Sequence, residues 1–148
     1  MTMELSALEL ERYRKQVMLP EFGERGQEKL KEASILVVGA GGLGSAVLPY
    51  LAGAGIGRIC IIDPDHVSLS NLQRQTLFTT AELGQAKASL AAEKMLALNP
   101  EIILDSRVER LTTENAWALI KGRSLVLDCT DNLDARFLIN ETCSAAGI

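Results

Sequence analysis

The sequence predicts an α/β domain built around a doubly wound parallel sheet with helices on both faces. Short apolar segments with the composition of buried strands alternate with longer segments of helical pattern through most of the 148 residues. The first such strand, residues 35–38, runs directly into a glycine-rich turn at residues 39–44. Alternating strands and helices form right-handed βαβ units, and these units produce a parallel sheet.

Two helices are expected before the first strand, over residues 5–18 and 24–32. Residues 5–18 carry apolar side chains at intervals of three to five positions with charged residues between them, which is typical of an amphipathic helix. Pro20 ends this helix, because proline cannot continue the hydrogen-bond ladder. Residues 1–33 are therefore assigned to a helical segment of the same domain, and residues 34–148 to the nucleotide-binding sheet domain.

The first strand and the turn after it form the most informative stretch. Residues 35–38 are all apolar and mostly β-branched, as expected of a strand buried on both faces. Gly39, Gly41 and Gly44 match G-x-G-x-x-G, in which glycines permit a tight turn and bring backbone N–H groups close to a phosphate. The helix expected over residues 43–54 directs its positive N-terminal end at an anion. The stretch therefore predicts a Rossmann-like nucleotide site.

The later elements follow in regular order. Pro49 is expected to kink or break the helix over residues 43–54. Residues 58–63 are predicted to form the second strand. Residues 64–80 are predicted to form a loop of the kind that often carries functional residues. The remaining expected elements are helix 81–98, strand 102–108, helix 112–121 capped by Thr112 or Thr113, strand 125–128, and helix 133–146, which Gly147 ends.

The prediction is thus a sheet that is truncated after its fourth strand and the helix that follows. A doubly wound domain normally begins its next strand where this chain reaches Gly147 and Ile148. We expect the sequence to be either the N-terminal part of a larger protein or a naturally shortened relative.

Composition and charge argue against several classes of function. The net charge of −4 disfavours nucleic acid as a partner. No apolar run approaches the ~18 residues of a membrane span, and Glu4, Glu9 and Glu11 stand where a signal peptide has its apolar core. We therefore expect a cytoplasmic protein with no membrane partner.

The cysteines predict neither a disulfide framework nor a metal site. Cys60, Cys129 and Cys143 are an odd number and include no C-x-x-C pair. Zinc is therefore not expected in this chain. All three are interpreted as buried, unreactive thiols.

An acidic residue follows the second strand at the distance expected of a ribose-binding group. Asp63 lies about 20 residues beyond the glycine turn, where dinucleotide-binding domains place the carboxylate that binds the ribose hydroxyls. This position fits NAD as well as ATP. The structural alternative is a glycine turn used only for packing, with Asp63 in solvent.

The loop after Asp63 favours a nucleoside triphosphate. It offers the amides of Asn71, Gln73 and Gln75 and the guanidinium of Arg74, and Lys87 follows at the start of a helix. A dehydrogenase has no evident use for such a polar segment, whereas an arginine and a lysine converging on a phosphate tail suit ATP. Taken singly, each of these charges is more often a solvated surface group than a ligand contact.

The fourth strand ends in a polar segment at residues 128–132. Asp131 lies just beyond the carboxyl end of this strand, where open α/β sheets bind ligands. A carboxylate beside phosphates is a reasonable Mg²⁺ ligand. The alternative is an Asp-Asn turn that caps the next helix.

Together these segments resemble the ThiF/MoeB/HesA family, the bacterial relatives of the ubiquitin-activating enzymes. The resemblance runs in order from about Arg12 to the last residue. It rests on five linked motifs, namely Gly39-Ala-Gly-Gly-Leu-Gly44, Asp63-Pro-Asp65, Ser70-Asn-Leu-Gln-Arg-Gln75, Lys87 and Asp128-Cys-Thr-Asp-Asn132.

The resemblance implies a nucleotide site made from these motifs. It implies that Gly41 and Gly42 lie under the phosphates, that Asp63 and Asp65 hold the ribose, and that Asp131 binds Mg²⁺ with Asn132 beside it. It further implies that Arg74 and Lys87 bind the phosphates. The pocket-lining segment is Ser70, Asn71, Leu72, Gln73 and Arg74.

The resemblance also implies an activity. The family uses ATP and Mg²⁺ to adenylate the C-terminal glycine of a ubiquitin-like sulfur-carrier protein, as in thiamine or molybdenum-cofactor biosynthesis. Such a carboxylate is already ionised at pH 7, so no general base is required, and the chain has one histidine, His66, and no evident triad. The alternatives are a non-catalytic nucleotide-binding module of the same family and an NAD-dependent oxidoreductase.

The sequence departs from the family pattern in two places, and both concern contacts with other protein chains. The family usually has Arg-Tyr-x-Arg-Gln near its N-terminus, and its second arginine reaches into the ATP site of the partner subunit of a homodimer. Here the segment is Arg12-Tyr-Arg-Lys-Gln16, so Lys15 holds that position and Arg14 precedes it. The family's C-terminal half, with its zinc-binding cysteine pairs and much of its carrier-docking surface, has no counterpart in these residues.

Overall fold

The computed structural model describes residues 4–148 and contains one sheet of four parallel strands. The strands are β1 (Ser34–Val38), β2 (Arg58–Ile62), β3 (Ile103–Arg107) and β4 (Leu125–Asp128), and their order in the sheet is β3-β2-β1-β4. The helices are α1 (Ala7–Arg12), α2 (Arg14–Val17), α3 (Gly23–Glu32), α4 (Gly42–Ala54), α5 (Lys87–Leu98), α6 (Ala116–Ile120) and α7 (Leu133–Ala146). The predicted fold class is confirmed. Across residues 4–148, no helix combines the length and apolarity needed to cross a membrane.

Side chains of the two central strands alternate between two separate apolar cores. Ile35 and Val37 of β1 join the core that α4 and α5 cover, whereas Leu36 and Val38 join the core beneath α6 and α7. All four are almost fully buried. Residues apolar at every position of a strand therefore indicate burial on both faces, as parallel sheets require.

The register of the sheet brings three strand ends to one edge. Val38 pairs with Ile62 of β2 on one side and with Asp128 of β4 on the other. The chain continues this alignment for one more step, because Gly39 donates to the Ile62 carbonyl and Cys129 donates to the Val38 carbonyl. The glycine turn and the polar segment after β4 consequently begin side by side.

The N-terminal helix expected over residues 5–18 is two helices that meet at Tyr13. Tyr13 leaves helical geometry, with φ −97° and ψ 11°, and its side chain is buried. Its hydroxyl accepts a hydrogen bond of 2.8 Å from Asn99, whose amide also donates to the Ala52 carbonyl. The tertiary contact interrupts the helix that the apolar pattern predicts.

Of the kink or break expected at Pro49, the break is wrong, because α4 continues through this residue from Gly42 to Ala54. Proline removes one backbone donor, but Leu48 and Ala52 on either side are fully buried in the core. Packing of these side chains holds the helix across the missing hydrogen bond.

Two other helices are shorter than predicted. The segment at the start of predicted helix 81–98 instead forms a 3₁₀ turn, Thr80–Glu82, and Gly84 then adopts a positive φ of 82°. Helix α5 therefore begins at Lys87. The helix expected from residue 112 begins at Ala116, because the Asn115 side chain accepts from the Thr112 N–H at 2.8 Å and closes a turn there. Neither threonine is its cap.

We predict opposite effects for two glycine-to-alanine changes in α4. A Cβ on Gly44 would overlap the carbonyl oxygen of Gly39, whereas a Cβ on Gly53 would meet nothing within 4 Å. Gly44→Ala should lower the free energy of unfolding by about 3 kcal/mol or more through overpacking. Gly53→Ala should raise it by about 0.5–1 kcal/mol through helix propensity. Urea denaturation of both variants tests this, and equal effects would contradict the close approach of the turn.

Candidate functional site

A cleft of about 600 Å³ opens at the carboxyl edge of the sheet. It lies over the ends of β1, β2 and β4, between the loop that follows β2 and the start of α7. Nine of the predicted site residues line it, and these are Gly41, Gly42, Asp63, Asp65, Asn71, Arg74, Lys87, Asp131 and Asn132. The cleft therefore gathers residues that lie up to 91 positions apart in the sequence (132 − 41).

The glycine turn forms the floor of this cleft. Gly39 has a positive φ of 98°, and a Cβ there would lie 2.8 Å from the Cys129 carbonyl oxygen. Helix α4 begins directly at Gly42, and no side chain caps its first turn. The backbone N–H groups at a helix start attract anions. The floor is thus suited to bind a phosphate.

Asp63 joins the end of β2 to the glycine turn. Its Oδ2 accepts from the Ala40 N–H at 2.7 Å, and its Oδ1 accepts from the Asp65 N–H at 2.7 Å. Only 5% of the residue is exposed, so it is not the solvated strand-end carboxylate of the structural alternative. Each oxygen keeps a lone pair for a further donor, because a carboxylate oxygen can accept two hydrogen bonds.

Lys87 carries a nearly buried positive charge at the start of α5. It is 3% exposed, and its Nζ lies 3.6 Å from Asp65 Oδ2 and 3.3 Å from Asn71 Oδ1. The Asp65 side chain itself is largely exposed. A buried ammonium with one loosely placed carboxylate favours an additional anion in the cleft.

Arg74 lies above the first turn of α4. Its Cγ and Cδ are 3.9 Å from the position that a Cβ on Gly42 would take. Within residues 4–148 its guanidinium has neither an ion pair nor a hydrogen bond. A free guanidinium beside an anion-binding helix start can bind phosphate oxygens through two parallel hydrogen bonds.

Two roles are predicted for the segment after β4, binding of Mg²⁺ and capping of the next helix, and they concern two neighbouring residues. The side-chain Oδ1 of Asn132 accepts from the Ala135 N–H at 3.1 Å and caps α7, as the structural alternative expects. Asp131 is exposed and lines the cleft beside it. The described residues hold no group of three or more His, Cys, Asp or Glu side chains that could bind a metal ion. A metal held mainly by phosphates and water, with one protein carboxylate, still fits Asp131.

The other predicted residues lie outside the lining of the cleft. Ser70 and Gln73 are exposed on the loop, and Leu72 packs against the core. Arg14 and Lys15 lie exposed on α2, where Arg14 pairs with Glu11 at 3.5 Å. Their contacts with nucleotide therefore stay predictions.

The cleft also contains residues that are outside the predicted set of site residues. Gln75 is one of the loop amides but has no role in the predicted set. Further lining residues are Glu109, Arg110, Leu111, Thr130 and Arg136. Arg136 is one turn into α7 and donates to the Thr130 carbonyl at 2.8 Å. It follows the helix cap Asn132, which also lines the cleft, by four positions, and this spacing is the sequence signal that could have found it.

Burial raises the pKa of all three cysteine thiols above the usual value of 9.0. For Cys129, which lines the cleft, the nearby Asp128 carboxylate raises the pKa further. Thiolates are the nucleophilic form of cysteine, so these thiols are poorly reactive at neutral pH. Cys60 is buried, whereas Cys129 and Cys143 are only half-buried, so the expectation of burial is wrong for those two.

Comparison with known proteins shows which family this sequence matches. The model of the ThiF family matches residues 13–148. A sulfur carrier protein adenylyltransferase of Thermus thermophilus is 46% identical over 94% of this chain and 51% of its own length. A molybdopterin-synthase adenylyltransferase of Salmonella typhimurium is 48% identical over 98% of this chain and 58% of its own length. The chain thus spans about half the length of these relatives.

Solved structures share the fold of the described residues. The crystal structure of the E. coli tRNA N6-threonylcarbamoyladenosine dehydratase TcdA superposes with a TM-score of 0.91 and 31% identity, covering 99% of this chain and 61% of that one. Its complex with ATP superposes with a TM-score of 0.90 and 32% identity, covering 97% of this chain and 58% of that one.

We predict slow alkylation of the three cysteines in the folded protein. Because their pKa values are raised, the thiolate fraction at pH 7 is smaller than for a free thiol, and it grows as the pH rises above 9. Iodoacetamide labelling followed by mass spectrometry measures the rates, with the urea-unfolded chain as the control. A cysteine labelled at pH 7 as fast in the folded as in the unfolded chain would contradict this.

Proposed function

The chain belongs to the ThiF family, and from this we propose that it is the nucleotide-binding part of an ATP-dependent adenylyltransferase. Its substrate is the C-terminal glycine carboxylate of a ubiquitin-like sulfur-carrier protein, as in thiamine or molybdenum-cofactor biosynthesis. The observation that carries the proposal is the convergence of Lys87, Arg74 and the uncapped start of α4 on one cleft. The names of the two adenylyltransferase relatives support it.

In the proposed reaction, an oxygen of the glycine carboxylate attacks the α-phosphorus of ATP. A new C(O)–O–P bond forms, the bond between the α-phosphorus and the bridging oxygen to the β-phosphorus breaks, and pyrophosphate leaves with that oxygen. The products are an acyl-adenylate and pyrophosphate. No proton is transferred, so the cleft needs charge and positioning rather than a general base.

The residues of the cleft have distinct roles in this proposal. Asp63 holds the ribose, the α4 start and Arg74 hold the phosphates, and Lys87 stabilises charge that develops in the transition state. Asp131 holds Mg²⁺ with Asn132 beside it. The ion, when bound, supplies positive charge to the phosphate oxygens.

We extend the proposal to a homodimer in which Arg14 or Lys15 reaches the ATP site of the partner subunit. Both side chains are exposed on α2. The helix is anchored by partly buried hydrogen bonds, in which Gln16 donates to Gln27 at 2.6 Å and both glutamines donate to the Ala54 carbonyl. The anchoring leaves the two cations on the outer face of a fixed helix.

We predict that Arg74→Ala weakens binding of Mg·ATP about 10- to 100-fold, because it removes charge-assisted hydrogen bonds to phosphate. Arg58→Ala is the matched control, since Arg58 is exposed at the opposite end of β2. Isothermal titration calorimetry measures both. Unchanged binding by Arg74→Ala would remove this residue from the site.

A second prediction concerns the metal. Asp131→Asn should abolish most of the enhancement of ATP binding by Mg²⁺, because a neutral amide binds the ion poorly. Asp134→Asn, three positions further into α7 and outside the cleft lining, should retain it. For each variant, titrations with ATP in the presence and in the absence of Mg²⁺ give the ratio of the two affinities. Equal ratios in the two variants would contradict the assignment of Asp131.

Catalysis is tested by exchange of labelled pyrophosphate into ATP with candidate sulfur carriers. A carrier with a free C-terminal carboxylate should support exchange, whereas the same carrier amidated at its C-terminus should not. Binding of Mg·ATP without exchange would support the alternative of a nucleotide-binding module that has no turnover.

A further inference from the structure

The loop between β2 and α5 is attached to α5 through two lysines of that helix. Lys87 and Lys94 are seven positions apart, which is close to two helical turns, so they lie on the same face of α5. Lys87 contacts Asp65 and Asn71 in the first part of the loop. Lys94 contacts the last part of the loop, so Arg74 lies between the two points of attachment.

Lys94 makes three contacts with the last part of the loop. Its Nζ donates to the Leu77 carbonyl and, at 2.9 Å, to Glu82 Oε2. The same Nζ lies 6.0 Å from the centre of the Phe78 ring. The Lys94 and Glu82 side chains are only 26% and 19% exposed, so water and salt screen this ion pair less than they screen a fully exposed one. These contacts hold the end of the loop against α5.

Hydrogen-bonded turns connect this attachment to Arg74. The Phe78 N–H donates to the Gln75 carbonyl, and the N–H groups of Arg74 and Gln75 donate to the Asn71 carbonyl. Phe78 is itself buried in the core beneath the loop. The stretch from Asn71 to Phe78 is therefore a continuous series of turns, and a shift at its end also moves Arg74.

We propose that Lys94 is a positioning residue for nucleotide binding, which holds the guanidinium of Arg74 over the start of α4. This inference rests on the proposed function, in which Arg74 binds the phosphates. Within residues 4–148 the guanidinium has neither an ion pair nor a hydrogen bond, so its position depends on its backbone. Lys94 is outside the lining of the cleft and acts through the loop. A group that is held in place before binding loses less entropy when the ligand binds.

The first test is the affinity for Mg·ATP, measured by isothermal titration calorimetry well below the Tm of each variant. Lys94→Met keeps an apolar side chain of similar length and removes the ammonium, and we expect it to weaken binding about 10-fold. Lys94→Arg keeps donors for the carbonyl and the carboxylate, and should bind nearly as tightly as the parent. If the arginine variant binds as weakly as the methionine variant, the loss does not come from these hydrogen bonds, and the inference fails.

Arg123→Met is the matched control for a general loss of stability. Arg123 also donates to a backbone carbonyl and to a side chain, those of Leu119 and Ser34. Ser34 is the first residue of β1, at the end of the strand opposite the cleft. This variant should bind Mg·ATP as the parent does. Equal weakening in Arg123→Met and Lys94→Met would contradict a specific role of Lys94.

A double variant tests whether Lys94 acts through Arg74. Lys94→Met is combined with Arg74→Ala, and the affinity for Mg·ATP is compared with those of the two single variants. If Lys94 positions Arg74, the double variant should bind as weakly as Arg74→Ala alone. Losses that multiply would show that Lys94 affects binding by another route, and would overturn the inference.

Amide hydrogen exchange tests the attachment without nucleotide. Exchange at Gln75 and Phe78 should be about 10-fold faster in Lys94→Met than in the parent, because the turns that protect these N–H groups open more often. Arg123→Met should leave their exchange unchanged. Unchanged exchange in Lys94→Met would show that Lys94 does not hold the loop.

Failure of this inference differs from failure of the proposed function. If the parent and Lys94→Met bind Mg·ATP equally well, Lys94 does not position Arg74, and the proposed function stands. If the parent does not bind Mg·ATP, the proposed function fails, and the role of Lys94 in nucleotide binding fails with it.

Discussion

The site depends on the two hydrogen bonds that Asp63 accepts from the backbone. One comes from Ala40 in the glycine turn and the other from Asp65 in the following loop, each at 2.7 Å. They hold the turn, the end of β2 and the loop in a fixed relation at one edge of the sheet. Asp65 Oδ2 in turn lies 3.6 Å from the Nζ of Lys87, so the loop held by Asp63 also contacts the start of α5. Hydrogen bonds from N–H groups to a carboxylate are among the stronger ones, so the cleft is organised before any ligand binds.

The fold class and the strands follow from the sequence because burial on both faces leaves an unambiguous pattern. A short, uniformly apolar segment such as Ile35 to Val38, followed at once by glycines, is typical of a buried parallel strand. Helix bounds were less predictable where a tertiary contact or a local turn competes. Tyr13 bonds to Asn99, which is 86 residues away, and no local pattern reveals such a contact. At Pro49 the helix continues where a break was among the expected outcomes, because packing of the neighbouring side chains outweighs the local propensity.

The candidate site, like the fold, could be predicted only in part from the sequence. Arg74, Lys87 and Asp131 could be singled out because they belong to a set of linked motifs that together resemble one family of nucleotide-binding proteins. The sequence does not reveal that Lys87 is buried or that Arg74 is unpaired, and both facts depend on how the loop folds over the sheet. Gln75 has no distinctive signature, since a glutamine in a polar loop is ordinarily exposed. Only the packing of the loop shows that its carbonyl is buried and unpaired.

The most direct test of the proposed nucleotide site is calorimetric titration of the unmodified chain with Mg·ATP and, separately, with NADH. Both nucleotides contain a ribose for Asp63 and phosphates for the glycine turn, so shared features cannot discriminate between them. The terminal phosphates of ATP alone can engage both Arg74 and Lys87. We predict binding of Mg·ATP and no measurable binding of NADH. Binding of NADH in preference to Mg·ATP would contradict the proposed site.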